Sequence, residues 1–279
     1  MHKTAAAMID NQHKQAFLIV SQNPTKRVLK LYGKIKTAVA EKGDVFLLYH
    51  NKKNRAPVLP KGIDVITFTT DILKELQYKP IRTKLVPGSN HFPVLQFFLT
   101  HPQYNYYWCI EDDVEFNGKW SDLFEAITPW TKYDFITSHI RRHADIPDWS
   151  WWDSYRVPGE DFDPEKLISS FNPIYRISNH ALSYIDSCLK NGCRGHHEVL
   201  LPSLLMRGGF SIADFSTEEN QVTPVLSFCT PRTMRWLPVY LVVGNMRNKL
   251  YHPVKSKIGF SHLMEYIRRT VEGRKEYLT

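Results

Sequence analysis

Short apolar segments alternate with segments of helical periodicity through the first half of this 279-residue chain, and this order constrains the fold most. The apolar runs are rich in β-branched and aromatic residues and end at turn residues, which predicts buried strands. The predicted strands are 16–20, 44–49, 63–69, 104–110 and 133–138, and the predicted helices between them are 27–40 and 92–99. Strands that alternate with helices form a parallel sheet covered by helices. The sequence therefore predicts a three-layer α/β/α fold with a mainly parallel central sheet.

The second half of the sequence is less regular. Helices are predicted at 181–189, 198–206 and 260–271, and strands at 210–214 and 237–243. Residues 1–15 are polar and have no clear period, which predicts a flexible N-terminal tail. The rest is long enough to bury a core, so we expect a single domain over 16–279, with halves at 16–117 and 118–279.

The chain carries a formal net charge of +8, with its basic residues dispersed apart from modest clusters at 52–55 and 268–275. A basic surface attracts nucleic acid, anionic lipid or a phosphorylated substrate. No nucleic-acid-binding motif is present, so we expect no nucleic-acid partner. The cluster at 268–275 instead predicts peripheral contact with an anionic membrane.

The sequence also predicts where the chain acts. No apolar run reaches the roughly 18 residues of a membrane span, and the first residues lack the apolar core of a signal peptide. The four cysteines form no C-x-x-C pair, which argues against a zinc site or a disulfide framework. We therefore expect reduced thiols and a cytoplasmic protein, peripheral to the inner face of the membrane.

The predicted strand at 104–110 runs directly into the acidic segment 111–115, Glu-Asp-Asp-Val-Glu. In open α/β sheets, ligands bind beyond the carboxyl ends of the strands. In an extended backbone Glu111 and Asp113 would face one side of the strand and Asp112 the other. Clustered carboxylates repel one another unless a cation satisfies them, and Mg²⁺ or Mn²⁺ prefers oxygen ligands, including substrate phosphates. The segment therefore predicts a metal-bound diphosphate, with a solvated acidic loop as the alternative.

Residues 106–115 resemble the strand and acidic motif of GT-A glycosyltransferases, nearest to the Glu-Asp-Asp form of N-acetylglucosaminyltransferases. The resemblance covers this motif and the alternating first half of the chain. It implies that Asp113 holds Mn²⁺ or Mg²⁺ against the diphosphate of a nucleotide-sugar donor. It also implies that Glu111 and Asp112 contact the donor.

Two later segments carry residues at positions where this family has functional residues. A C-terminal histidine returns to the metal in many members, which implies that His252 is a second ligand and that Lys255 faces the diphosphate. An ordinary loop histidine is the alternative. Inverting members hold a general base at a helix start, where Glu198 stands in the order of motifs. The alternative is a glutamate that the helix dipole favours.

The donor and the acceptor each have weaker candidate contacts. Ser21, Asn23 and Arg27 lie in and after the loop that follows the first strand, where this family holds the nucleotide. A tryptophan-rich loop lies between the acidic segment and Glu198, and aromatic faces stack on sugars. Its predicted acceptor contacts are Trp149, Trp151, Trp152 and Asp153, with buried lid packing as the alternative.

Together these features predict a metal-dependent glycosyltransferase that moves a sugar from a nucleotide-diphosphate sugar to a hydroxyl of a glycan or lipid-linked acceptor, with inversion. One alternative is a sugar nucleotidyltransferase, although residues 21–24 match its glycine- and basic-rich loop poorly. Another is a non-enzymatic carbohydrate- or nucleic-acid-binding module that holds a structural ion. Dinucleotide-binding, P-loop and nucleophile-elbow motifs are missing from the sequence, which excludes the simple enzymes that carry them.

Overall fold

The computed structural model of the protein describes residues 14–40, 42–52, 57–216 and 222–260, together with 264, 267 and 268. The predicted tail therefore lies outside the described residues, except for Lys14 and Gln15, and Gln15 is the first residue of a strand. Most of the predicted helix at 260–271 and all of the basic cluster except Arg268 also lie outside them.

The regular elements of the described residues follow the chain in this order. The strands are β1 (Gln15–Ser21), β2 (Gly43–His50), β3 (Val65–Phe68), β4 (Tyr106–Glu111), β5 (Glu115–Phe116), β6 (Phe135–Arg142), β7 (Ile168–Ser178), β8 (Ile212–Ser216), β9 (Val225–Cys229) and β10 (Leu250–Tyr251). The α-helices are α1 (Lys26–Ala38), α2 (Ile72–Glu75), α3 (His91–Thr100), α4 (Trp120–Ile127), α5 (Asn179–Lys190) and α6 (His197–Arg207).

Eight strands form one sheet in the order β3-β2-β1-β4-β7-β6-β8-β9. Strand β7 pairs antiparallel with both of its neighbours, and the other pairs in this sheet are parallel. Strands from both halves of the sequence thus share a single sheet, and β7 joins them at its centre. The prediction of an α/β fold with a mainly parallel central sheet is confirmed.

Side chains of β1 alternate between two apolar cores, one on each face of the sheet. Leu18 belongs to the core that packs against α3, α5 and α6, whereas Phe17 belongs to the core that packs against α1 and α4. Burial on both faces is the usual reason why parallel strands read as continuous apolar runs. The three-layer arrangement is therefore also confirmed.

The sequence-based prediction was wrong about one strand and, besides the short elements α2, β5, β9 and β10, it missed two longer elements. Residues 237–243 form turns with a single bridge from Tyr240 to Val254, because Pro238 provides no backbone donor for a strand ladder. The two longer missed elements are α4 and β7, the longest strand of the described residues. Asn172 and Pro173 interrupt the apolar pattern of β7 and resemble a turn, yet they lie inside the strand.

Arg176 on β7 is buried, and its side chain donates hydrogen bonds to backbone carbonyl groups. Its guanidinium donates to the carbonyls of Trp130 at 2.6 Å, Tyr133 at 3.1 Å and Ile127 at 3.4 Å, and it lies over the ring of Tyr106. Burial lowers the pKa of Arg176 to about 10, so the side chain remains charged at neutral pH. Arg176 thus ties the turn after α4 to the centre of the sheet.

Arg176→Met is expected to lower the free energy of unfolding by roughly 3 kcal/mol, because buried carbonyl groups lose their donors. Urea unfolding monitored by circular dichroism measures this change. Arg82→Met provides the control, since Arg82 is exposed and its replacement should stay within about 0.5 kcal/mol of the wild type. Equal stabilities of the two variants would contradict the assigned role of Arg176.

Candidate active site

The acidic segment lies where β4 ends, beside the carboxyl end of β1. Glu111 pairs with Val20 of β1, and the backbone N–H of Asp112 donates to the Val20 carbonyl at 3.2 Å. A tight turn follows, closed by a bond from the N–H of Val114 to the carbonyl of Glu111 at 3.0 Å. Because of this turn, Asp112 points toward β1 while Asp113 points toward the C-terminal part of the chain.

Strand β10 brings His252 to the acidic segment. It pairs antiparallel with β5, and the N–H of Val254 donates to the carbonyl of Asp113 at 2.8 Å. Nδ1 of His252 donates to the carbonyl of Arg235 at 2.8 Å, which fixes the ring and turns Nε2 toward the carboxylates. Nε2 lies 3.3 Å from Oδ1 of Asp113 and 3.5 Å from Oε2 of Glu111.

Asp113 is buried between two cationic side chains. Burial opposes its ionisation, but His252 and Lys255, which both contact it, outweigh that effect and hold its pKa below the usual carboxyl range. Burial likewise disfavours the charged form of His252, but Asp113 and Glu111 raise its pKa to about 10. The structure therefore places His252 and Lys255 beside Asp113, and their roles as metal ligand and diphosphate contact stay predictions.

Glu111, Asp113 and His252 form a group with the chemistry of a divalent-cation site. Each offers one ligand atom, and these atoms lie within 4.8 Å of one another. Oδ1 of Asp113 is buried and makes no hydrogen bond of good geometry, although Nε2 of His252 lies 3.3 Å away, so this oxygen can accept a further partner. Two carboxylates suit Mg²⁺ or Mn²⁺, and the imidazole of His252, which would release its proton on binding a metal ion, favours Mn²⁺. The residues present therefore fit such an ion.

The predicted donor contacts gather on the other side of this turn. Oγ of Ser21 donates to the carboxylate of Asp112, and the guanidinium of Arg27 donates to the carbonyl of Asp112. Oγ of Ser21 also accepts from the N–H of Asn23 at 3.1 Å, so the loop after β1 is held to the acidic segment. Burial raises the pKa of Asp112 to about 6. Glu115 lies near Arg27 and Lys34, which balance its charge.

Asn90 contacts this site, although it was not among the site residues predicted from the sequence. It precedes α3 but makes no side-chain capping bond. Its Nδ2 instead donates to Oε1 of Glu111. A polar residue at the start of an otherwise apolar helix was the available signal, and the long-range partner could not be read from the sequence.

Glu198 lies in the first turn of α6, and β7 holds that helix start in place. Nδ2 of Asn172 donates to the carbonyl of His197 at 3.1 Å, and the backbone N–H of Asn172 donates to Oε1 of Glu198 at 3.3 Å. His196 caps the helix by accepting from the N–H of Glu198 at 3.3 Å. The side chain of Glu198 is 16% exposed, which leaves room for a substrate to approach its carboxylate.

The electrostatics of Glu198 link it to the candidate metal ligands. Burial raises the pKa of Glu198 to about 8, although the N–H of Asn172 acts in the opposite direction. Glu111 and His252 are both close enough to influence its charge. The structure thus brings Glu198 near Glu111, although the two lie 87 positions apart in the sequence.

The tryptophan-rich loop packs against the cap of α6. The ring of Trp151 lies 4.4 Å from that of His196, and Trp149 contacts the same ring edge-on at 5.8 Å. Trp152 is 3% exposed and donates from Nε1 to the carbonyl of Ile146, as the alternative of buried lid packing predicts. Trp149 and Trp151 are half-buried and Asp153 is exposed, so these three remain available for acceptor contact.

A group of buried histidines behind Glu198 was not predicted. Burial lowers the pKa of His91 and of His197 to about 3, and it lowers the pKa of His196 as well. Gly88 makes room for this group, because a Cβ there would lie 2.1 Å from the ring of His196 and its φ is +94°. The proline-glycine turn at 87–88 was the available sequence signal. Neutral histidines leave the carboxylate of Glu198 without a cationic partner on this side.

A sequence profile of a family described as proteins of unknown function, DUF3405, matches residues 48–143. The match includes the acidic segment but assigns no activity to it. A search of curated proteins finds no match. No helix in the described ranges is long and apolar enough to cross a bilayer.

Two glycosyltransferases are among the solved structures that are similar to this chain. One, involved in the glycosylation of the major capsid of PBCV-1, has 11% identity and a TM-score of 0.31, over 62% of this chain and 64% of its own. The other is glucosyl-3-phosphoglycerate synthase from Mycobacterium tuberculosis in complex with Mg²⁺ and UDP, with 14% identity and a TM-score of 0.43, over 73% and 69%. Because both scores lie below 0.5, the functional assignment rests on the site itself.

Proposed function

We propose that this protein is a metal-dependent glycosyltransferase that moves a sugar from a nucleotide-diphosphate sugar to an acceptor hydroxyl. One observation supports the proposal: Glu111, Asp113 and His252 form a group that could hold a cation at the end of β4, and Glu111 and His252 are close enough to a separate, partly buried carboxylate, Glu198, to influence its pKa. Transfer of this kind needs a group that neutralises the leaving diphosphate and a base that activates the acceptor.

The donor side follows from the contacts around the acidic turn. Glu111, Asp113 and His252 would hold Mn²⁺ or Mg²⁺, which when bound neutralises charge on the diphosphate. Lys255 contacts Asp113 and adds a cation at the same position. Asp112 lies on the opposite side of the turn, where Ser21 orients its carboxylate for a hydroxyl of the donor.

The acceptor side depends on Glu198. Its carboxylate removes the proton from an acceptor hydroxyl, and the oxygen then attacks the anomeric carbon as the bond from that carbon to the diphosphate oxygen breaks. Attack from the face opposite the leaving group inverts the anomeric configuration. Trp149 and Trp151 offer aromatic surface for a sugar ring of a glycan or glycolipid acceptor beside this carboxylate.

The reaction products separate this proposal from its enzymatic alternative. With a panel of nucleotide-diphosphate sugars, Mn²⁺ and mixed glycan acceptors, we expect release of a nucleoside diphosphate. A sugar nucleotidyltransferase would instead release pyrophosphate from a nucleoside triphosphate and a sugar phosphate. Release of neither product, combined with carbohydrate binding, would support the non-enzymatic module. Cytoplasmic location and membrane contact through 268–275 remain predictions.

The pH dependence of transfer should reflect the burial of Glu198. The base acts in its ionised form, so kcat/KM rises as pH passes the pKa of this carboxyl group. That pKa is raised to about 8, and a bound cation lowers it again. We therefore expect a rising limb centred above the unperturbed value of about 4.3 and no higher than about 8. Steady-state rates across this range test it, and a limb centred at or below the unperturbed value would contradict it.

A further inference from the structure

The segment at 222–260 has an unusual charge composition. It contains six basic residues and no aspartate or glutamate. The six are Arg232, Arg235, Arg247, Lys249, Lys255 and Lys257. The segment therefore has no acidic side chain of its own to balance these positive charges. A positively charged surface attracts an extended anionic partner.

The same segment exposes large apolar side chains. Among the described residues, six of the thirteen exposed large apolar side chains belong to it. These six are Trp236, Leu241, Val242, Met246, Ile258 and Phe260. Val242 is 76% and Phe260 is 77% exposed, so neither is merely a core residue with one uncovered edge. Clustered exposed apolar residues mark surfaces that bind another phase or partner.

Backbone bonds bring the two parts of this exposed segment together. The N–H of Tyr240 donates to the carbonyl of Pro253 at 2.9 Å, and the N–H of Lys255 donates to the carbonyl of Tyr240 at 2.8 Å. The exposed residues at 241–242 follow directly after Tyr240, and those at 258–260 follow soon after Lys255. We call the loops 236–249 and 255–260 the apolar-basic edge.

The apolar-basic edge also adjoins the candidate active site. His252 lies between its two loops in the sequence and Lys255 is the first residue of the second loop, and both contact Asp113. Asn117, on the other side of the acidic turn, donates from Nδ2 to the carbonyl of Gly244 at 2.7 Å and so anchors the first loop. Any surface that this edge binds is therefore held near the acidic turn of the candidate site.

We propose that the apolar-basic edge docks on an anionic lipid bilayer and holds the active site at its surface. Aliphatic and aromatic side chains that enter the boundary between headgroups and acyl chains, with basic residues beside anionic headgroups, form the usual pattern of interfacial binding. A soluble, polar glycan would not account for the exposed apolar side chains of Leu241 and Val242, whereas a lipid surface would. The further conclusion that the acceptor is lipid-linked rests on the proposed function, whereas docking itself does not.

Vesicle sedimentation tests the docking without donor or metal. The full chain is mixed with phosphatidylcholine vesicles that contain or lack phosphatidylserine, at low and high salt. We expect at least about tenfold stronger partitioning onto the anionic vesicles, weakened by salt. Glu198→Gln should bind as the wild type does, so docking can fail or succeed independently of catalysis.

Two double variants and one control separate the contributions. Leu241→Asp with Val242→Asp removes apolar contact, and Arg247→Glu with Lys257→Glu reverses charge; each should reduce partitioning by about tenfold or more. Val58→Asp is the control, because Val58 is fully exposed on a loop distant in sequence and should bind normally. Melting temperatures verify that each variant is folded.

Three outcomes would overturn the proposal. The first is equal sedimentation with and without phosphatidylserine, or none with either. The second is normal binding by the Leu241→Asp, Val242→Asp variant. The third is concentration-dependent self-association that this variant abolishes, which would make a second copy of the chain the occupant of the edge. If the protein sediments with neither kind of vesicle but binds heparin, the partner of the basic residues would be a soluble polyanion.

Discussion

Glu198→Gln is expected to lower the rate of sugar transfer by about 10²–10⁴-fold, the usual contribution of a positioned general base. Glutamine keeps the size of the side chain and an oxygen that can accept from the N–H of Asn172. It cannot take the proton of the acceptor hydroxyl. The loss should therefore appear in kcat, while the affinity for donor and metal ion is retained.

Glu165→Gln is the matched control for this substitution, because Glu165 is exposed and belongs to no candidate site. It should transfer sugar at the wild-type rate. Full activity of Glu198→Gln would assign Glu198 the alternative role of a helix-start glutamate that the helix dipole favours. Loss of activity together with a large drop in melting temperature would point to the same structural role, so both quantities are measured.

Asp113→Asn is expected to abolish metal-dependent donor binding and to lower transfer by at least about 10³-fold, because a bound cation contributes several kcal/mol of charge stabilisation. Asparagine removes the negative charge of the buried carboxylate whose Oδ1 makes no hydrogen bond of good geometry. It also leaves the cations His252 and Lys255 without their shared anionic partner. Titration calorimetry with Mn²⁺ alone measures the loss of the ion without requiring a donor.

The neighbouring carboxylate provides the control for this metal titration. Asp112→Asn makes the same chemical change one residue earlier, but Asp112 is bound to Ser21 and lies outside the group of three metal-ligand candidates. It should bind Mn²⁺ as the wild type does, even where donor binding suffers. If both substitutions weaken Mn²⁺ binding equally, the total negative charge of the turn, and not a specific set of ligands, would explain the affinity for Mn²⁺.

The fold was predictable where local pattern and burial agree. Strand β4 is apolar as far as Ile110 and buried on both faces, so its existence and its end beside the acidic segment could be predicted from the sequence. Strand β7 could not, because Asn172 bonds to α6 inside the strand while the same residue type usually marks a turn. The antiparallel insertion of β7 between β4 and β6 is likewise a tertiary property.

The candidate site was predictable in part for the same reason. Glu111 and Asp113 follow from a strand that ends in carboxylates, whereas His252 was implied only by the family resemblance. Its approach depends on the pairing of β10 with β5, which joins segments more than a hundred residues apart. Asn90 and His196 were not predicted, because each acts through a partner that only the folded chain brings near.

Thermal unfolding of the wild-type protein with nucleotide-diphosphate sugars, each with and without Mn²⁺, tests the central proposal most directly. A ligand that binds only the folded state raises the melting temperature. We expect one nucleotide class to raise it only when Mn²⁺ is present, and Asp113→Asn to abolish that shift. No shift with any nucleotide sugar in the presence of Mn²⁺, or an equal shift in Asp113→Asn, would contradict the proposal of a metal-dependent glycosyltransferase.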